Sequence, residues 1–216
     1  MNSILAERIN HIESLEALHL KYLTEMMQAD SGKIFGVDLL AQAAFKRSMS
    51  LCAGFACLVK SKNYLSAATL VRLQLDTCLR FFAAFIVEHP HDFAQSILMG
   101  VPVRNLKDRS GQLMTDRYLV ETLGKQYDWM PRVYTATSGF IHLSERHMFS
   151  VWQPSAEGEL MIVIGPTDDQ LEDDLWIELA DAFLACTDAL FEYLKSWIFT
   201  KQNPGLVAEV MRQQKV

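Results

Sequence analysis

The sequence predicts a mainly all-α protein, an antiparallel helical bundle with one small inserted β-hairpin. Three observations carry this. Apolar residues recur every three or four positions through most of the chain. The breaks between these stretches are short and rich in Gly, Pro or Asn. Only one region, 148–164, shows strand-like patterning. The chain has 216 residues, half of them hydrophobic, which suits a single helical domain over 1–216 with a sizeable core.

The first helix is expected from Ser3 to Gln28. Leu5, Ile9, Ile12, Leu15, Leu18, Tyr22 and Met26 form its apolar stripe. D-S-G-K-I-F-G (30–36) breaks it. A second helix, rich in Ala, Leu and Phe, runs from Asp38 to about Lys60, and a third from about Tyr64 to Glu88. Their short connections favour antiparallel neighbours. Pro90 opens a short helix reaching Met99, since proline suits a first helical turn. Residues 100–114 read as a loop, and Thr115 to Leu123 as a helix stopped by Gly124. Pro131 opens a helix that carries V-Y-T-A-T-S-G-F-I-H-L-S-E-R-H (133–147). M-F-S-V-W-Q (148–153) and E-L-M-I-V-I (159–164) flank P-S-A-E-G as a hairpin. A long final helix follows, capped by Thr167 or Asp168, with acids in its first turns where the helix dipole favours them. Its stripe is Leu171, Leu175, Leu179, Cys186, Leu190, Leu194 and Trp197. Asn203-Pro204-Gly205 ends it, before a frayed or helical tail.

Composition excludes several function classes. No apolar run reaches the roughly 18 residues of a membrane span. The N-terminus carries Glu7 and no apolar signal core, which reads as a cytoplasmic chain. A net charge of -6 disfavours broad binding to nucleic acid, though not a local basic patch. Cys52, Cys57, Cys78 and Cys186 make no C-x-x-C pair and read as buried reduced thiols.

Two helices carry a polar set where core residues are expected. On the 133–147 helix, Tyr134, Thr135, His142 and Glu145 fall within about 60° of Ser138 at 100° per residue. On the third helix, Arg72, Asp76 and Arg80 stand at i, i+4 and i+8, and Thr69 and Ser66 extend the arc. Such a row is also what a solvated face with ion pairs looks like, and Tyr, Ser and His satisfy one another on ordinary surfaces. Both faces nevertheless avoid lysine and use groups suited to fixed geometry. Gly139 costs about 1 kcal/mol in a helix interior relative to Ala, which reads as room for a close approach. The two faces are therefore expected to meet or to line one cleft.

A-A-T-L-V-R-L-Q-L-D-T-C-L-R (67–80), followed by Y-T-A-T-S-G-F-I-H (134–142), resembles a set of uncharacterised bacterial helical proteins, a domain-of-unknown-function family related to the HEPN superfamily and to abortive-infection proteins. The resemblance covers roughly 40–150. It implies a helical bundle, often dimeric, often found in bacterial defence or toxin–antitoxin settings. Many such proteins are metal-independent RNases in which an Arg is followed, after four to six intervening residues, by a His on the same helix. None of the six histidines here has that spacing. A split version would take Arg72 for the phosphate and His142 for the proton, with Asp76, Arg80, Tyr134, Ser138 and Glu145 binding the ligand.

Other chemistries lack their parts. His142 and Glu145 have no complete metal-ligand set, and no metal or cofactor is expected. Ser138 and His142 lack the strand-to-helix elbow of a serine hydrolase. No P-loop or dinucleotide fingerprint is present. Three readings remain: a homodimeric protein with a cleft for a small anion, an RNA- or nucleotide-directed effector, and a structural subunit that docks a protein partner while its polar set is a satisfied network.

Overall fold

The structure, a computed structural model, describes residues 2–154 and 158–206. Four long helices form the frame: α1 (Ser3–Gln28), α2 (Gly36–Lys60), α3 (Tyr64–Ile86) and α8 (Asp173–Gln202). They pack as a ring, α1 on α2, α2 on α3, α3 on α8 and α8 back on α1. Four shorter helices, α4 (Pro90–Leu98), α5 (Asp116–Leu123), α6 (Met130–Ser138) and α7 (Glu145–Val151), fill the excursion between α3 and α8. The expected all-α bundle with a hairpin is what is found.

The first three helices alternate in direction. α8 instead runs parallel to α1 and α3. Arg8 bonds Asp181 near the starts of α1 and α8, and Lys201 reaches the Met26 carbonyl at their ends. Likewise Tyr64 meets Trp176 at the starts of α3 and α8, and Phe82 meets Tyr193 further along. A long excursion, unlike a tight turn, leaves the direction of the returning helix free.

The buried apolar residues form one contiguous cluster, which includes Phe45, Phe55, Leu75, Phe81, Trp176, Phe183 and Leu190. Phe55 and Phe183 stack at its centre, ring centroids 4.3 Å apart. Two glycines are set by close approach. A Cβ on Gly36 would lie 2.9 Å from the His91 carbonyl oxygen, so α4 can sit against the start of α2. A Cβ on Gly124 would lie 2.7 Å from the Val120 oxygen, inside the tight corner before Pro131. Cys52, Cys78 and Cys186 are buried, and burial pushes the Cys52 thiol up to about 12. Cys57, expected inside, is exposed on the outer face of α2.

Three local expectations are corrected. The 133–147 helix is two helices. α6 ends at Ser138 with Gly139 as its C-cap, and α7 starts at Glu145. The Ser144 hydroxyl donates to the Gly139 carbonyl (2.7 Å), closing the turn between them. Second, residues 148–151 belong to α7, so the hairpin is shorter than its apolar sequence. β1 (Trp152–Pro154) pairs antiparallel with β2 (Leu160–Ile162), Trp152 opposite Ile162. Third, α8 begins after Glu172, so neither Thr167 nor Asp168 caps it. The Asp168 carboxylate accepts from the Tyr64 N–H (2.8 Å) and so serves the start of α3, beside Asn63, which accepts from Ser66 N–H. The middle of the hairpin loop and the tail beyond residue 206 lie outside the described residues.

Candidate functional site

Position i, i+4, i+8 on α3 places Arg72, Asp76 and Arg80 along one edge of the helix. The structure extends this row into a chain of five alternating charges. Arg47 of α2 donates to Asp76 (3.1 Å), Arg80 Nε donates to the other Asp76 oxygen (3.1 Å), and Arg80 Nη2 pairs with Asp116. Arg72 Nη2 then donates to the second Asp116 oxygen (3.1 Å). Asp116 is the first residue of α5, behind the Thr115 cap. The positive end of the α5 dipole and two guanidiniums therefore converge on one carboxylate. Three guanidiniums face two carboxylates, leaving one unit of positive charge.

Arg72 is the buried member, only 9% exposed. Its guanidinium lies 4.4 Å from the centre of the Tyr134 ring of α6, a cation–π contact. The α3 and α6 faces thus meet at Arg72 and Tyr134. A second tie lies one turn back, where the Thr69 hydroxyl is shared between the Leu65 and Phe140 carbonyls, both at 3.1 Å.

The remaining expected residues do not join this chain. Ser138 donates its hydroxyl to the Tyr134 carbonyl of its own helix (2.6 Å). His142 is exposed in the turn after α6, and Glu145 is exposed at the start of α7. Neither shares a helix with Tyr134, because Gly139 ends that helix first. Among the described residues, no group of three or more His, Cys, Asp and Glu side chains is placed to hold a metal ion.

Two buried polar clusters were not anticipated. Lys201, at the end of α8, donates to Asp38 (3.0 Å) and to the Met26 carbonyl (2.8 Å), and both side chains of the ion pair are fully buried. Trp197 Nε1 donates to the other Asp38 oxygen (2.8 Å). Deeper in the bundle, His19 of α1 bonds Ser48 of α2 (2.8 Å). Gln74 of α3 donates to Ser48 (2.7 Å) and to Thr187 of α8 (2.9 Å). One hydrogen-bond chain so crosses all four long helices. Burial lowers the His19 pKa, against an opposing bond to the Leu15 carbonyl.

On the surface, Asp108 accepts from Tyr118, from the Ser110 N–H and hydroxyl, and from the Gln112 N–H. Desolvation, the largest single influence, pushes its carboxyl up. The hydrogen bonds together outweigh it and hold the group at about 2. This organises the 106–114 loop beneath α5 and not a reactive group.

Chemically, the α3 cluster is suited to holding helices together and to attracting an anion at its more open end, near Arg47 and Arg80. Arg72 has its hydrogen-bonding face on Asp116 and its flat face on Tyr134. The chain matches no known family model, and neither a curated protein nor a solved structure similar to it is found.

Proposed function

We propose that the protein works by assembly: it is a HEPN-like helical subunit that pairs with a second copy of itself through the apolar segment 141–164, while the α3 arginine chain orders the fold. The observation that carries this is the exposure of that segment's large apolar side chains among the described residues. Leu143 is 90% exposed, Ile164 85%, Leu160 63% and Ile162 60%, with Ile141, Met148, Trp152 and Met161 exposed beside them. Taking about 150–250 Å² for a large side chain, these expose on the order of 900 Å². A typical monomer's largest apolar patch is about 300–600 Å², and a standard interface buries about 800 Å² per partner.

The chemistry of the segment favours a second copy. Residues 160–164, L-M-I-V-I, are uncharged and apolar on both faces of the strand. A two-stranded hairpin alone is marginal in water. Pro154 removes a backbone donor from β1, whereas β2 keeps a full set along its length. Antiparallel pairing of β2 with its own copy would satisfy that edge with twofold symmetry. In a chain of net charge -6, the uncharged run 160–164 is also where two copies repel least. A dimer agrees with what the sequence resemblance implies, as does a role in bacterial defence.

The RNase reading draws less support. It needs Arg72 open to a phosphate, and Arg72 is buried between Asp116 and Tyr134. It also needs His142 beside Arg72, and no hydrogen bond joins the two.

Sedimentation velocity on the full chain tests the proposal. The expected result is a dimer at micromolar concentration, converted to monomer by L160K together with I162K without loss of helical circular dichroism. A monomeric wild-type chain, or a dimer indifferent to both lysines, overturns it.

A further inference from the structure

α6 and α8 both pack on α3 and leave a groove of about 240 Å³ between them. Tyr64, at the start of α3, lines it, its ring set between those of Phe140 (6.1 Å) and Trp176 (5.2 Å). Val133 of α6 and Phe140 just beyond it line one side; Leu175, Leu179 and Ala182 of α8 line the other. Leu175 is left 41% exposed. The α8 side runs from 175 to 182, about 10 Å at 1.5 Å per residue, or two helical turns. At about 30 Å³ for each water-sized group, the space holds roughly eight such groups, the side chains of two leucines.

The charge around the groove selects what can enter it. Between residues 147 and 194 the sequence has eleven carboxylates and no Lys or Arg. Asp173 and Asp174, in the first turn of α8, are accounted for by the helix dipole. Glu178 is not. It stands four residues after Asp174, where like charges destabilise a helix, and it is exposed in the groove lining. A solvated helix ordinarily relieves such a pair with a lysine at the next i+4 position. Here that position is Ala182, part of the groove itself. The α6 side carries one cation, the exposed Arg132. An apolar trough with an acidic lip suits apolar groups flanked by cations. Nucleic acid and anionic lipid carry charge of the wrong sign.

We propose that this groove receives a short basic amphipathic helix from a protein partner. Two apolar side chains one turn apart enter between α6 and α8, the mode in which an amphipathic helix lays its apolar face into a groove. Lysines or arginines on the flank of that helix meet Glu178 and Asp174. The lining residues of the groove lie outside 141–164, so the proposal does not rest on pairing with a second copy.

The probe is a fluorescein-labelled peptide of about 14 residues, leucine and lysine only, with its leucines at helical spacing. It is titrated into the full chain and followed by anisotropy. The expected result is saturable binding. A peptide of the same composition in scrambled order, and one with glutamate in place of lysine, should each bind at least tenfold more weakly. Ala136→Trp fills the groove from an exposed position and leaves every charge in place, and Glu178→Lys reverses the lip. Each should weaken binding at least tenfold with helical circular dichroism unchanged, whereas L160K together with I162K should leave binding within twofold. No saturable binding overturns the proposal. So does equal binding of the scrambled peptide, which is attraction to acid alone, or binding that survives Ala136→Trp. Binding lost in the double lysine variant would place the peptide on the hairpin, and altered sedimentation of Ala136→Trp without peptide would place a second copy in the groove; either result also overturns it.

Discussion

Asp116 is the residue on which the α3 chain turns, since it alone faces both Arg72 and Arg80. Removing it strands a buried guanidinium, and a buried charged group left without its partner is costly. Asp116→Ala is expected to lower stability by about 2 kcal/mol, read as a shift in the urea midpoint. His142→Ala, on an exposed turn, is expected to change it by less than about 0.5 kcal/mol. Equal effects of the two would mean that His142 carries weight the structure does not give it. The Arg72–Asp76–Arg80 row was legible because its spacing is local. Asp116 was not, because an acid in the first turn of a helix already has a reason to be there. His19 had a visible signal, since it continues the stripe from Ile12 and Leu15. It was passed over because that stripe looked complete without it. Its lowered pKa makes the folded state prefer the neutral ring. Its contribution to stability is therefore full above the ordinary histidine pKa, about 6.5, and declines as pH falls below that value. Urea midpoints between pH 7.5 and 5.5 should show this slope, and His19→Gln should flatten it.

At the scale of elements, α1, α2 and α3 were readable to within about two residues because each has an uninterrupted apolar stripe and a clear break at both ends, whereas the start of α8 was not. α1 lies on Ser3–Gln28, as its period predicts. α6 and α7 were merged because T-S-G-F-I-H-L-S-E keeps a helical period across a true break. The signals were Gly139 and Ser144, the first closing α6 and the second supplying the hydroxyl that bonds back to it. Asp168 was misplaced for a different reason. Its role is settled by a partner 104 residues away in sequence, the Tyr64 N–H. The end of α8 is held by the Lys201–Asp38 pair, which joins it to α2 and, through Met26, to α1. Lys201→Met leaves the Asp38 charge buried and unpaired. Breaking such a pair from one side costs about 3 kcal/mol or more, and chemical denaturation should report a loss of that size. A loss under about 1 kcal/mol would show that water reaches Asp38 in the variant.

At the scale of the molecule, the class of fold was legible and the exposed apolar face only in part. Periodicity marks which residues face inward, so most of the core emerged from it directly, although Leu175 and Cys57 are exposed. The hairpin was visible as a change of period, but its exposure was not. Whether an apolar strand is covered depends on what packs over it, and nothing in L-M-I-V-I distinguishes a buried strand from one left bare. Of the two polar faces expected to meet, Arg72 and Tyr134 do so and join α3 to α6, whereas His142 and Glu145 lie beyond the break at Gly139.

The direction of α8 has a bearing on how the chain folds. The α1–α2–α3 unit is complete by residue 86, yet the fourth wall of the bundle begins only at Asp173. Until α8 arrives, the inner faces of α1 and α3 stand open, and Gln74 lacks its Thr187 partner. A nascent chain emerging from the ribosome therefore carries an unsealed apolar trough for the whole synthesis of the excursion. That trough is the natural target for a chaperone and the natural start of aggregation. Closure of the bundle is non-local and slow relative to helix formation. Pulse-labelling hydrogen exchange during refolding should find amides of α2 protected before those of α8, and simultaneous protection would mean that the bundle closes in one step.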